Sequence, residues 1–152
     1  GMGFTLAAVL KIITQNSQAV VAELVPDIIE WNKGALGECA GRPLHDKRVT
    51  VFTGDVADLF KTSQPEYDVV LLDIDNGPEG FTQRNNSNLY SIESLQMIRQ
   101  TLHPGGMLAI WSAWHDPKFE QHLIKAGFAV EAKTVRAHKG RGSRHTIYLG
   151  RK

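Results

Sequence analysis

The sequence predicts an α/β fold, a doubly wound and mostly parallel sheet that closes with a C-terminal antiparallel hairpin. Three observations carry that prediction. Helix-like and strand-like segments alternate through most of the chain, which is the pattern of a parallel sheet with helices on both faces. Asp68-Val69-Val70-Leu71-Leu72-Asp73 is a nearly unbroken apolar run, as a strand covered on both sides requires. The last two strand-like segments are joined only by the polar stretch His138 to Ser143, long enough for a hairpin and too short for a crossover.

Taken in order, Thr5 to Gln15 places Leu6, Val9, Leu10 and Ile13 at helical spacing, with Thr5 as the expected cap. Gln18 to Glu23 is a short buried strand. Pro26 and Asp27 open a second helix that ends near Gly34 or Gly37. Val49 to Phe52 is a strand running into Gly54-Asp55, followed by a short helix over Val56 to Phe60. The strand ending at Asp73 feeds a long loop, Ile74 to Tyr90, rich in Asn, Gly and Pro. Ser91 caps a helix to Leu102, Pro104-Gly105-Gly106 is a turn, and Met107 to Trp111 is a strand. Asp116 to Ala126 is helical and stops at Gly127. Phe128 to Arg136 and Arg144 to Leu149 form the hairpin.

Length and composition suit one ordinary domain over residues 1–152, with 42% apolar and 22% charged residues. A formal net charge of +1 gives no long-range pull toward nucleic acid or acidic membranes. The basic residues Arg136, His138, Lys139, Arg141 and Arg144 around the hairpin lack interleaved aromatics and read as a solvated loop. Cys39 stands alone, in keeping with a reducing cytoplasm, and no apolar run is long enough to span a bilayer. No histidine spacing suggests a metal site. Ser112, His115 and Asp116 are too close in sequence to assemble a hydrolase triad.

In open parallel sheets, ligands bind beyond the carboxyl ends of the strands. Glu23, Asp55 and Asp73 fall at such ends, with Asp75 just beyond. Any one of them alone would be read as a cap or turn residue. Four on one rim point to a site. Glu23 ends a strand twenty positions after Gly3, where nucleotide-binding folds set an acid to accept both ribose hydroxyls; its bland alternative is a cap for the helix after Pro26. Gly1-Met2-Gly3 would let backbone approach such a ligand, although Gly1 can equally be a residue left by tag removal. Trp111 and Trp114 flank a strand end and wall either the ligand pocket or the core.

Four stretches, Val20-Val21-Ala22-Glu23-Leu24-Val25-Pro26-Asp27, Gly54-Asp55-Val56, Leu71-Leu72-Asp73-Ile74-Asp75-Asn76-Gly77-Pro78 and Leu102-His103-Pro104-Gly105-Gly106-Met107-Leu108, follow the order of the spermidine synthase family. The chain resembles that family, a branch of the class I S-adenosylmethionine-dependent methyltransferase fold. The resemblance implies a Rossmann-like, methyltransferase-type sheet that lacks the usual first strand, as a chain truncated at its N-terminus would. Either the neighbours of the missing strand then pair directly, another chain fills the slot, or the sequence is a truncated form of a longer protein. It also implies that Glu23 binds the ribose, that Asp55 contacts the adenine amino group, and that Asp73 lies by the sulfonium. Asp73 and Asp75 become the catalytic candidates, with Tyr90 lining the substrate pocket and Gly1 and Gly3 touching the cofactor.

The implied cofactor is S-adenosylmethionine or its decarboxylated form, leaving S-adenosylhomocysteine or methylthioadenosine, with no metal. The expected partner is a small molecule, with an amine among the candidates; self-association is left open. The leading expectation is a methyltransferase-like transferase. Its alternatives are a true aminopropyltransferase of polyamine synthesis and a non-catalytic remnant that binds or dimerises.

Overall fold

The computed structural model describes residues 1–61, 64–73, 89–138 and 141–152. They gather into two compact units, Gly1–Leu59 and Phe60–Lys152. Asp75 with the Asn76-Gly77-Pro78 stretch, most of the expected loop before Tyr90, and Lys139 of the basic cluster lie outside the described residues.

The first unit runs α1 (Phe4–Leu10), β1 (Ala19–Glu23), α2 (Pro26–Lys33), α3 (Ala35–Glu38), a 3-10 turn (Pro43–His45), β2 (Val49–Thr53) and α4 (Val56–Leu59). β1 and β2 pair in parallel from Ala19 opposite Val49 to Glu23 opposite Thr53. Pro26 opens α2, where its missing N–H and fixed φ cost nothing.

α1 departs from expectation at both ends. Its cap is Gly3, at φ 79°, rather than Thr5, and it stops at Leu10 rather than Gln15. The early stop has a long-range cause. Arg48, 7% exposed, donates from Nη2 to Leu10 O (3.0 Å) and from Nη1 to Ile13 O (3.1 Å) and Thr14 O (3.3 Å). One guanidinium thus satisfies carbonyls that another helical turn would otherwise have used.

Asp46 holds that guanidinium, accepting from its Nε at 3.0 Å and its Nη2 at 2.7 Å, and from the Arg48 backbone N–H at 2.9 Å. These bonds, the side-chain ones foremost, lower the Asp46 carboxyl from 3.8 to about 2. A carboxyl with a depressed folded-state pKa adds stability above its unfolded value and loses it as pH falls toward the folded one. Native protein should therefore melt above Asp46→Asn by a constant margin at neutral pH. That margin should shrink below about pH 4 and close near pH 2 in thermal melts. A gap independent of pH over this range would contradict the assignment.

The second unit runs β3 (Tyr67–Leu72), α5 (Ile92–Thr101), β4 (Leu102–Ser112), α6 (Pro117–Lys125), β5 (Ala129–His138) and β6 (Arg141–Arg151). Its sheet has the order β3-β4-β6-β5, with β3 and β4 parallel and the β4–β6 and β6–β5 pairs antiparallel. The expected hairpin is therefore present. Ser91 caps α5 by accepting the Ser94 N–H at 3.2 Å, and Asp116 caps α6 by accepting that of Lys118 at 2.8 Å. Leu95, Ile98, Leu108, Ile110, Leu123 and Tyr148 are fully buried and make the core of this unit.

β4 is longer than expected, because Pro104-Gly105-Gly106 lies inside it. Gly105 takes φ 79°, and the pairing with β3 shifts between Tyr67 and Val69, so the predicted turn survives as an irregularity in the strand. The two borders of this sheet differ in character. β5 presents Glu131, Lys133 and Arg136 as exposed residues, whereas β3 leaves Val69 53% and Leu71 44% exposed.

The described strands form a two-stranded sheet, β1-β2, in the first unit and the four-stranded sheet in the second.

Candidate functional site

Glu23 closes β1, and the ladder continues one residue beyond it through the Gly54 N–H to Glu23 O bond at 3.0 Å. Its carboxylate is held at both oxygens: Oε1 accepts the Val25 N–H at 3.1 Å and Oε2 receives the Gly1 ammonium at 3.2 Å. The Val25 bond comes from the cap residue of α2 itself and not from the first turn of the helix, which has no side-chain cap, so Glu23 does not act as the cap. Asp55 follows β2 after Gly54, and its Oδ1 accepts the Ala57 N–H at 2.9 Å at the start of α4. Both acids thus stand at the carboxyl ends of neighbouring parallel strands, fixed by backbone N–H groups.

The first unit also brings the glycine turn to Glu23. A Cβ on Gly3 would lie 3.0 Å from Pro43 Cγ and 3.3 Å from Asn32 Oδ1, besides requiring a positive φ from an ordinary residue. Only glycine fits that seat. Gly1 is anchored from the other side by Asn32, whose Nδ2 donates to Gly1 O at 2.8 Å. Asn32 was not singled out from the sequence. A mid-helix Asn reads as solvent-facing, and its burial comes from partners about thirty residues away.

In the second unit, Asp73 is the exposed residue immediately after β3. Leu72 pairs with Ile110, so Asp73 and Trp111 are the next residues on adjacent parallel strands. The Trp111 ring is half-buried and packs on His145, centroids 5.0 Å apart. Tyr90 is a core residue, buried with its ring edge-on to Phe119 at 5.6 Å. Of the predicted site residues, then, Gly1, Gly3, Glu23 and Asp55 share the first unit, while Asp73, Tyr90 and Trp111 share the second.

Ser112, His115 and Asp116 each have separate engagements. Ser112 Oγ donates to Trp114 O at 2.8 Å, His115 Nε2 meets Glu120 Oε2 at 3.0 Å, and Asp116 caps α6. A groove of about 370 Å³ lined by Glu30, Trp31, Gly34, Ala35 and Leu36 contains none of the predicted site residues. Among the described residues no group of three or more His, Cys, Asp or Glu gathers to hold a metal, and no helix is long and apolar enough to cross a membrane.

Residues 1–136 match the family model of the spermine/spermidine synthase domain. The chain belongs to the spermine/spermidine synthase family. Among curated members, it is 30% identical over 112 residues to a polyamine aminopropyltransferase of Korarchaeum cryptofilum, covering 74% of this chain and 33% of that protein. Among solved structures, a spermidine synthase in complex with the transition-state analogue AdoDATO superposes with a TM-score of 0.74 at 18% identity, covering 99% of this chain and 50% of the other. A putative rRNA methylase from Clostridium thermocellum superposes with a TM-score of 0.61 at 14% identity, covering 100% and 84%.

The chain therefore spans a third to a half of these two synthase-family relatives. Its fold is the Rossmann-like one of the class I S-adenosylmethionine-dependent methyltransferases, which this family shares with the methylase. The family match is continuous across both compact units.

Proposed function

We propose that this chain carries the adenosyl-binding part of an aminopropyltransferase, which moves an aminopropyl group from decarboxylated S-adenosylmethionine to a small amine. The observation that carries the adenosyl reading is the Glu23 carboxylate, fixed at a strand end beside the positive-φ turn at Gly3. An acid at a strand end beside a turn that only glycine can make suits a ribose bearing two hydroxyl donors. The choice of aminopropyl over methyl transfer rests on the 30% identical relative, which is a polyamine aminopropyltransferase. The methyl reading favoured by sequence alone gives way on that ground. The continuous family match favours the two units as halves of a single domain over residues 1–152.

In this reading Glu23 accepts the ribose hydroxyls and Asp55 the adenine amino group. The bound sulfonium supplies an already activated carbon–sulfur bond. The remaining work falls to Asp73, with Asp75 as its proposed companion. An ammonium is drawn to carboxylates but cannot attack carbon until it loses a proton, so Asp73 would orient the amine and take that proton on a carboxylate oxygen. Trp111 would wall the pocket that receives the amine.

The direct test is incubation with decarboxylated S-adenosylmethionine and putrescine, read by mass spectrometry for spermidine and methylthioadenosine. Both products should appear together. Methyl transfer from S-adenosylmethionine in their place would restore the methyltransferase reading. No thermal shift with any adenosyl ligand would leave the remnant reading standing, because a ligand that binds the folded state must raise its stability.

A further inference from the structure

We propose that Asn32 is a positioning residue of the adenosyl site, kept for ligand binding rather than for stability. The inference rests on the adenosyl reading of the Gly1–Gly3 turn and Glu23, and adds to it a residue on a different element. Asn32 lies in α2 and is 4% exposed. Its Nδ2 makes two bonds at 2.8 Å, one to Ile28 O within the helix and one across to Gly1 O. Its Oδ1 is buried and, among the described residues, accepts no hydrogen bond. That oxygen faces the glycine turn, 3.3 Å from where a Cβ on Gly3 would stand.

A buried amide with an unpaired acceptor is a poor choice for folding alone. The carbonyl oxygen loses its water and gains no donor, whereas an apolar side chain of the same shape would lose nothing. The Nδ2 bonds do not restore the balance. Ile28 O already lies on the hydrogen-bonded path of α2, and Gly1 is exposed to solvent. What an apolar residue could not do is hold the Gly1 carbonyl. That contact fixes the start of the Gly1–Gly3 turn, which lies beside Glu23. Asn32 thereby sets one flank of the carboxylate to which ribose binding is assigned. Residues that weaken the fold in order to hold a site in place are a recurring feature of ligand-binding regions.

The test sets ligand affinity against stability in the same variants. Asn32→Leu preserves size and removes both the donor and the orphaned acceptor. Asn32→Ala is the second variant, in case leucine disturbs α2. The probe is methylthioadenosine, with affinity from calorimetry and Tm measured without ligand. The expected result is a Kd at least tenfold weaker in both variants, with the ligand-free Tm of Asn32→Leu equal to or above that of the native chain. In amide NMR, the Asn32 side-chain NH2 of native protein should shift on titration with the probe. Native affinity in both variants would overturn the proposal, as would a fall in Tm that alone accounts for the weaker binding. The failure of the broader reading looks different. In that case native protein itself gives no calorimetric signal or thermal shift with methylthioadenosine.

Discussion

Glu23→Ala should weaken methylthioadenosine binding by about 100-fold or more while leaving the fold intact. Two hydroxyls donating to one carboxylate make two charge-assisted hydrogen bonds, each worth roughly 1.5–3 kcal/mol. Loss of about 2.7 kcal/mol already corresponds to a hundredfold in affinity. The fold should tolerate the change because the exposed Glu23 contacts, with the Val25 N–H and the Gly1 ammonium, can pass to water. Calorimetry of native and variant protein decides the matter. Equal affinities would remove the ribose assignment, and the transfer reaction built on it would then need another anchor. Glu23→Gln refines the result. It keeps the shape and one acceptor but loses the charge, so its affinity should fall between the other two.

Gly37→Ala should unfold the first unit or cost it several kcal/mol. A Cβ on Gly37 would stand 1.9 Å from Asn32 O, a main-chain oxygen that cannot rotate out of the way as a side chain could. The glycine carbonyl is also committed, accepting the Arg42 N–H at 2.7 Å and the Ala40 N–H at 3.2 Å. α3 would have to separate from α2, and overpacking of a fixed site typically costs about 1–3 kcal/mol even where neighbours can shift. Here they cannot, so the cost should exceed that range. Amide hydrogen exchange would localise the effect. Protection should collapse within Gly1–Leu59, and a Tm unchanged from native would show that α3 can move without penalty.

The sequence made some of this legible and hid the rest for physical reasons. β3 was plain because Val69 to Leu72 is a continuous apolar run, and the caps Ser91 and Asp116 were plain because capping is a local contact. The acids at the strand ends were found because a parallel sheet dictates where its loops emerge. The early end of α1 was not, since it depends on Arg48, 38 residues beyond Leu10. Nor was the tight seat of Gly37, which follows from how α3 folds back on α2. Asn32 escaped because its partner Gly1 lies 31 residues away. For α1 and Asn32 the deciding contact is long-range, and for Gly37 it is the bend between two short helices; periodicity reports on neither.

The uneven borders of the four-stranded sheet have a practical consequence for anyone preparing this protein. Along β5 the charges of Glu131, Lys133 and Arg136 discourage edge-to-edge stacking of copies. Along β3 the half-bare Val69 and Leu71 do not, and Tyr67–Leu72 has the length and greasiness of a segment that seeds fibrils. Precipitation on storage should therefore begin at β3, and a single lysine at Val69 is the place to start improving solubility.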